Sequence, residues 1–174
     1  MRMIVILVGP SAVGKSFAAR ALLDTYPDRF ARVPVYTTRT QRSSEAEADD
    51  RIFVSQEQFE RMVQERQFCV HQHFAGNRYG YHKNDLKPAQ KHSIVDLPPF
   101  FLPGFLGYKN LLIIGLQAPS NYQALLDKRM EARGDSHESR QNRKPFIERD
   151  IQDLEALRPL KSKRTCYDSN GQSP

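Results

Sequence analysis

A glycine-framed loop carrying a lysine and a hydroxyl, set between an apolar run and a helix former, leaves a chain few folds to choose from. Here it is Gly9-Pro10-Ser11-Ala12-Val13-Gly14-Lys15-Ser16, preceded by Met3-Ile4-Val5-Ile6-Leu7-Val8 and followed by Phe17-Ala18-Ala19-Arg20-Ala21-Leu22-Leu23. The pattern is G-x-x-x-x-G-K-S between a strand and a helix, the context that a phosphate-binding loop needs. Backbone N–H groups and a helix N-terminus together form a cradle for anions. Lys15 would reach the β/γ-phosphates of a nucleotide, and the Ser16 hydroxyl would face Mg²⁺. Gly9, Ser11, Ala12, Val13, Gly14, Lys15, Ser16 and Phe17 are therefore the expected ATP-binding residues. The alternative is a chance match in a glycine-containing loop, which the strand and helix on either side argue against.

The rest of the chain fits one soluble domain. Its 174 residues are enough to bury a real core, and 39% hydrophobic with 26% charged residues is ordinary for a globular protein. The net charge of +6 comes without a long Lys/Arg block. It suits phosphorylated small molecules better than nucleic acid, for which no recognised motif is present. Cys69 and Cys166 form neither a disulfide framework nor a zinc cluster, and both read as reduced core residues. The N-terminal apolar run is too short for a signal peptide or a membrane span, so the expected location is cytoplasmic. His71, His73 and His82 lack a carboxylate or thiol partner and read as strand and loop residues rather than metal ligands.

Strands are expected at residues 30–36, 52–54, 68–74, 93–97 and 111–116, with one more at 165–167. Helices are expected from Ser55, whose side chain and Gln58 form a capping-box pattern, from Pro119 to about Arg133 with Gly134 as C-cap, and from Glu138 to Leu157. Gly76-Asn77 marks a turn. The alternation predicts an α/β fold, a mainly parallel sheet covered by helices.

Further motifs bring a family into view. Thr37-Thr38-Arg39-Thr40-Gln41-Arg42-Ser43-Ser44-Glu45 resembles the T-T-R-x-P-R-x-G-E signature of guanylate kinases. Asp50-Arg51-Ile52-Phe53-Val54 resembles their D-Y-x-F-V, and Phe74-Ala75-Gly76-Asn77-Arg78-Tyr79-Gly80 their F-S-G-N-x-Y-G. Residues 125–134, with Arg129 and Arg133, resemble their R-L-x-x-R-G lid. The resemblance is strong over residues 4–97 and weaker over 110–150, and the family's further terminal helix has no counterpart here.

The resemblance implies a P-loop kinase fold with a core (1–33 and 91–174), a small substrate-binding subdomain (about 34–90) and a helical lid (about 126–148). It implies ATP and Mg²⁺ as cofactors, a phosphorylated small-molecule acceptor, no nucleic acid or membrane partner, and a monomer or homodimer. Arg39, Arg42 and Tyr79 would hold the acceptor's phosphate, since a guanidinium binds phosphate oxygens bidentately and stays charged. Arg51 stands where the family has a phosphate-contacting Tyr. Lys15, Arg39, Arg129, Arg133 and Lys144 would compensate charge during transfer. Asp96, at a strand's C-terminal end, would join Ser16 at the metal.

Two departures qualify this. The family reads guanine with a Glu and two Ser residues; Val70, Tyr81 and Val35 stand there instead. Losing groups that match a ligand's edge can cost several orders of magnitude in discrimination. GMP thus becomes a doubtful acceptor among nucleoside monophosphates, and a sugar phosphate, as in ribose bisphosphate kinases, is the runner-up. A non-catalytic binding module is the third reading, and the intact loop argues against it. The second departure follows Asp96, where the family has D-x-D-x-Q-G and this chain has Leu97-Pro98-Pro99-Phe100-Phe101-Leu102-Pro103-Gly104-Phe105. Its prolines exclude an ordinary α-helix; the apolar segment could cover the substrate site or make a protein contact, and a packed surface loop is the preferred expectation.

Overall fold

The computed structural model describes residues 2–41, 51–86, 90–119, 122–132 and 137–156. Two four-stranded sheets organise them. The first contains β1 (Ile4–Val8), β2 (Phe30–Arg32), β7 (His92–Leu97) and β8 (Leu111–Gly115) in the order β2-β7-β1-β8, all parallel. β1 is buried along its whole length, as a central parallel strand covered on both faces must be. Its Val5 and Leu7 pack with Ala19 of helix α1 (Lys15–Thr25), while Ile4, Ile6 and Val8 point into the larger core.

The second sheet contains β3 (Val35–Thr37), β4 (Arg51–Phe53), β5 (Phe68–Phe74) and β6 (Asn77–His82) in the order β4-β3-β6-β5. Only β3 and β4 run parallel; β6 is antiparallel to both β3 and β5. The sheet expected from sequence is thus two sheets, one parallel and one mixed. The single strand expected at residues 30–36 splits between them. Pro34 explains the break: it offers no N–H to a ladder and restrains the residue before it. Val33 still donates to the Ile94 carbonyl (2.9 Å), and the chain then leaves the first sheet.

Local signals fared well. Helix α2 (Gln56–Gln64) starts with both halves of the capping box, Gln58 N–H to Ser55 Oγ (3.1 Å) and Ser55 N–H to Gln58 Oε1 (2.8 Å). Ala75 and Gly76 both have positive φ, 48° and 78°, and close the β5–β6 hairpin as a two-residue turn. Residues Pro99–Phe105 form a 3-10 helix that buries Pro99, Phe101, Leu102 and Phe105. Helices α3 (Tyr122–Ala132) and α4 (His137–Ala156) follow β8. Gly134 and residues 165–167 lie outside the described residues. Among those described, no helix is long and apolar enough to cross a membrane.

Candidate functional site

The loop between β1 and α1 owes its shape to two glycines with different reasons. Gly14 has φ of 114°, a conformation L side chains rarely adopt. Gly9 sits so close to the first sheet that a Cβ would come within 2.6 Å of the Leu116 carbonyl oxygen. Its lack of a side chain therefore serves packing against β8's end rather than access for a ligand. Lys15 Nζ donates to the carbonyls of Gly9 and Pro10, both at 2.7 Å, arching across the loop. Helix α3 braces the outer side. Tyr122 donates its hydroxyl to the Ser11 carbonyl, and Arg129 Nη1 donates to the Ala12 carbonyl at 3.1 Å.

Asp96 meets this loop from the C-terminal end of β7. Its Oδ2 accepts from Ser16 Oγ (2.8 Å) and its Oδ1 from Arg32 Nη2 (2.6 Å). Two hard oxygen donors side by side fit Mg²⁺, which takes one or two protein ligands and completes its shell with phosphates and water. The described residues hold no cluster of three His, Cys, Asp or Glu side chains that would bind a metal by itself.

Facing the loop, the Thr37-Thr38-Arg39 turn is held by its hydroxyls. Thr37 Oγ1 accepts from Arg39 N–H (3.2 Å), and Thr38 Oγ1 accepts from Arg78 N–H (3.0 Å). The Arg39 guanidinium rests over the Phe53 ring, 5.4 Å from its centroid, and donates to the Thr40 carbonyl. A cavity of about 510 Å³ lies between loop and turn. Lys15, Ser16 and Asp96 line one end, with Ser11, Ala12, Gly14 and Phe17. Arg39, Arg51 and Tyr79 line the other, and Arg129 enters from α3. Cations from two helices and from the second sheet thus converge on one space, which is what opposed phosphates require.

The three positions that depart from the guanine reader are not alike. Val35 lines the cavity. Tyr81 shows it a ring, but its hydroxyl is committed to the Asp96 carbonyl (2.9 Å), and burial pushes its pKa well above the ordinary phenol value. Val70 is not among the described lining residues: it packs under Gly104, where an added Cβ would lie 2.5 Å from it. The 3-10 helix therefore occupies the space toward which Val70 points. Phe101 and Phe105 stand edge-on to the Tyr81 ring at 5.8 and 5.4 Å, and Phe100 stacks on Phe74 at 5.1 Å.

Of the other residues expected from sequence, Val13 packs beside the Tyr122 cluster rather than on the cavity wall. Arg42 and Arg133 lie outside the described residues, and Lys144 falls on α4 with its side chain outside them. Sequence reading missed Phe74, Pro98 and Phe101 as lining residues, and Arg32 as the partner of Asp96. It also missed Asp150, fully buried on α4, whose two oxygens have no hydrogen-bond partner among the described residues. Burial raises its pKa to about 7, against the pull of the Lys15 ammonium.

Residues 1–98, more than half of the chain, match the family model described as guanylate kinase. The chain belongs to the guanylate kinase family. It is 34% identical over 142 residues to a guanylate kinase of Schizosaccharomyces pombe, an alignment covering 78% of this chain and 68% of that one. A guanylate kinase of Mycoplasma genitalium is 30% identical over 141 residues, 78% of this chain and 58% of its own length. For one of Synechococcus elongatus the match is 38% over 77 residues, 44% of this chain and 42% of the relative. The chain thus spans between two fifths and two thirds of the curated relatives it matches. The crystal structure of guanylate kinase from Anaplasma phagocytophilum superposes with a TM-score of 0.59 at 20% identity, covering 95% of this chain and 88% of that one. That likeness speaks for the guanylate kinase fold alone.

Proposed function

We propose that this chain is an ATP-dependent kinase that transfers the γ-phosphate to a small molecule already carrying a phosphate. The observation behind this is the single cavity lined both by Lys15 and Ser16 of the phosphate loop and by Arg39, Arg51 and Tyr79 of the second sheet. Phosphoryl transfer asks for in-line positioning and compensation of charge, not covalent work by the protein. Lys15 and the loop amides hold the donor. Arg39, Arg51 and Tyr79 hold the acceptor's phosphate, joined by Arg42. Arg129, Arg133 and Lys144 close over the transferring group. Ser16 and Asp96 would hold Mg²⁺, which when bound neutralises charge on the donor phosphates.

A nucleoside monophosphate is the acceptor class favoured by the names of the relatives. The walls beyond the phosphate clamp favour one recognised without base-edge hydrogen bonds, because Val35 and the committed Tyr81 offer none. That observation also supports a sugar phosphate as the second reading. The test is an acceptor screen with purified protein, ATP and Mg²⁺, across nucleoside monophosphates and sugar phosphates. We expect turnover of at least one acceptor, with GMP not preferred over the other nucleotides. GMP turned over selectively at a rate on the order of 1–100 per second would refute the loss of guanine reading. ATP binding too weak to detect, with no turnover of any acceptor, would favour a non-catalytic module.

A further inference from the structure

Arg32 belongs to no motif, yet it reaches the centre of the site. It is the last residue of β2 and pairs in register with Ile94 of β7. Paired residues of parallel strands share a face, and Asp96 lies on that face one pleat further along. The face is the one that packs on α1, since Ile94 lies in the cluster with Ala19. A long side chain at position 32 can therefore reach forward to Asp96 on the side where Ser16 begins α1. The guanidinium does so at 2.6 Å, with the two side chains only 11% and 14% exposed.

We propose that Arg32 is a positioning residue for Asp96, and through it for the Ser16–Asp96 pair that takes Mg²⁺ with the nucleotide. The proposal rests on reading the loop as a Mg·ATP site. A carboxylate on one rotatable bond can turn either oxygen toward a metal. Here Arg32 holds Oδ1 and Ser16 meets Oδ2, so the plane of the carboxylate is fixed from both sides. The contact is charge-assisted, short and shielded from water, the conditions under which such a bond orients strongly. The guanidinium also balances the Asp96 charge. Metal then binds the site chiefly as part of the nucleotide complex, when phosphate oxygens add their own charge.

The measurement is ATP affinity with Mg²⁺ and with EDTA, made by calorimetry on the full chain, beside steady-state kinetics. Partners that orient metal ligands typically contribute about 10- to 100-fold to metal affinity or activity. In Arg32→Met the gain in ATP affinity from Mg²⁺ should shrink about tenfold, while the acceptor KM stays unchanged. Arg32→Lys, which keeps the charge but not the fork, should recover part of that gain. It also provides the test if the Met variant fails to fold. An unchanged gain in both variants, or in the Lys variant alone where Met does not fold, would overturn the proposal even if thermal stability fell. Wild-type protein that bound ATP no tighter with Mg²⁺ than in EDTA would overturn the reading of the loop and the proposal together.

Discussion

The two ends of the cavity treat their polar atoms differently. At the loop end Lys15 spans two carbonyls, Ser16 meets Asp96, and Asp96 meets Arg32. Lys15, Ser16 and Asp96 all line the cavity there. At the opposite end Arg39, Arg51 and Tyr79, the proposed phosphate clamp, line the cavity, but Val35 beside them has an apolar side chain, Val70 is covered, and Tyr81 spends its hydroxyl on a backbone carbonyl. Phosphate chemistry and recognition of the remaining acceptor would then be separate properties, resting on different side chains. One can change while the other is kept.

The strongest way to break that contrast is at the loop. Lys15→Ala should lower kcat about 10³-fold, as loss of a charge aimed at the transferring group does, with folding intact by circular dichroism. A variant that kept full activity would sink the phosphate-loop mechanism. Val70→Glu addresses the other end by restoring the carboxylate the family uses. Because Val70 lies under Gly104, the new charge would be buried without a partner and should cost about 3 kcal/mol of stability. A drop in urea midpoint without gain of GMP turnover is expected; GMP selectivity without loss of stability would mean the 3-10 helix yields.

Asp150 offers a change near the loop that acts on folding. Its folded pKa of about 7 lies above the ordinary 3.8, so the folded state holds a proton that the unfolded chain releases first. This group's contribution is best below about pH 4 and declines as pH rises toward 7, on the order of 4 kcal/mol in all. Asp150→Asn should therefore be more stable than wild type at pH 8 and similar at pH 4, read from urea midpoints at the two pH values. Parallel pH profiles for the two proteins would contradict it. The smallest effect belongs to Tyr81→Phe, which loses one hydrogen bond to the Asp96 carbonyl. It should cost about 1 kcal/mol of stability and leave acceptor KM unchanged, because that hydroxyl is not presented to the cavity. A raised KM would place the hydroxyl in acceptor recognition after all.

How much of this was legible beforehand follows the range of each interaction. The strand–loop–helix around Gly9–Ser16, the Ser55 capping box and the turn at Gly76 are set by residues a few positions apart and were legible, although the turn falls one residue earlier, at Ala75-Gly76, and the strand after it was not expected. The break at Pro34 was just as local and was passed over, because apolar residues on both sides favoured one continuous strand. Arg32 and Asp96 are 64 positions apart, and nothing near either names the other. Val70 looked like a pocket wall because the motif around it lines one in the family. Its burial depends on Gly104, in the segment where this chain departs from the family pattern. The clamp residues Arg39, Arg51 and Tyr79 were found by resemblance, and the structure brings them to one cavity wall.

The 3-10 helix at Pro99–Phe105 has a consequence for how the molecule comes apart. Its Phe101, Leu102 and Phe105 share one core cluster with Ile4, Ile6 and Val95 of the first sheet and with Val70 and Tyr81 of the second. With the segment wedged between them, neither sheet can lose its packing while the other keeps it. Hydrogen exchange of β1 and β6 amides should then report a shared opening free energy, so that donor and acceptor halves, separate in chemistry, unfold as one cooperative unit.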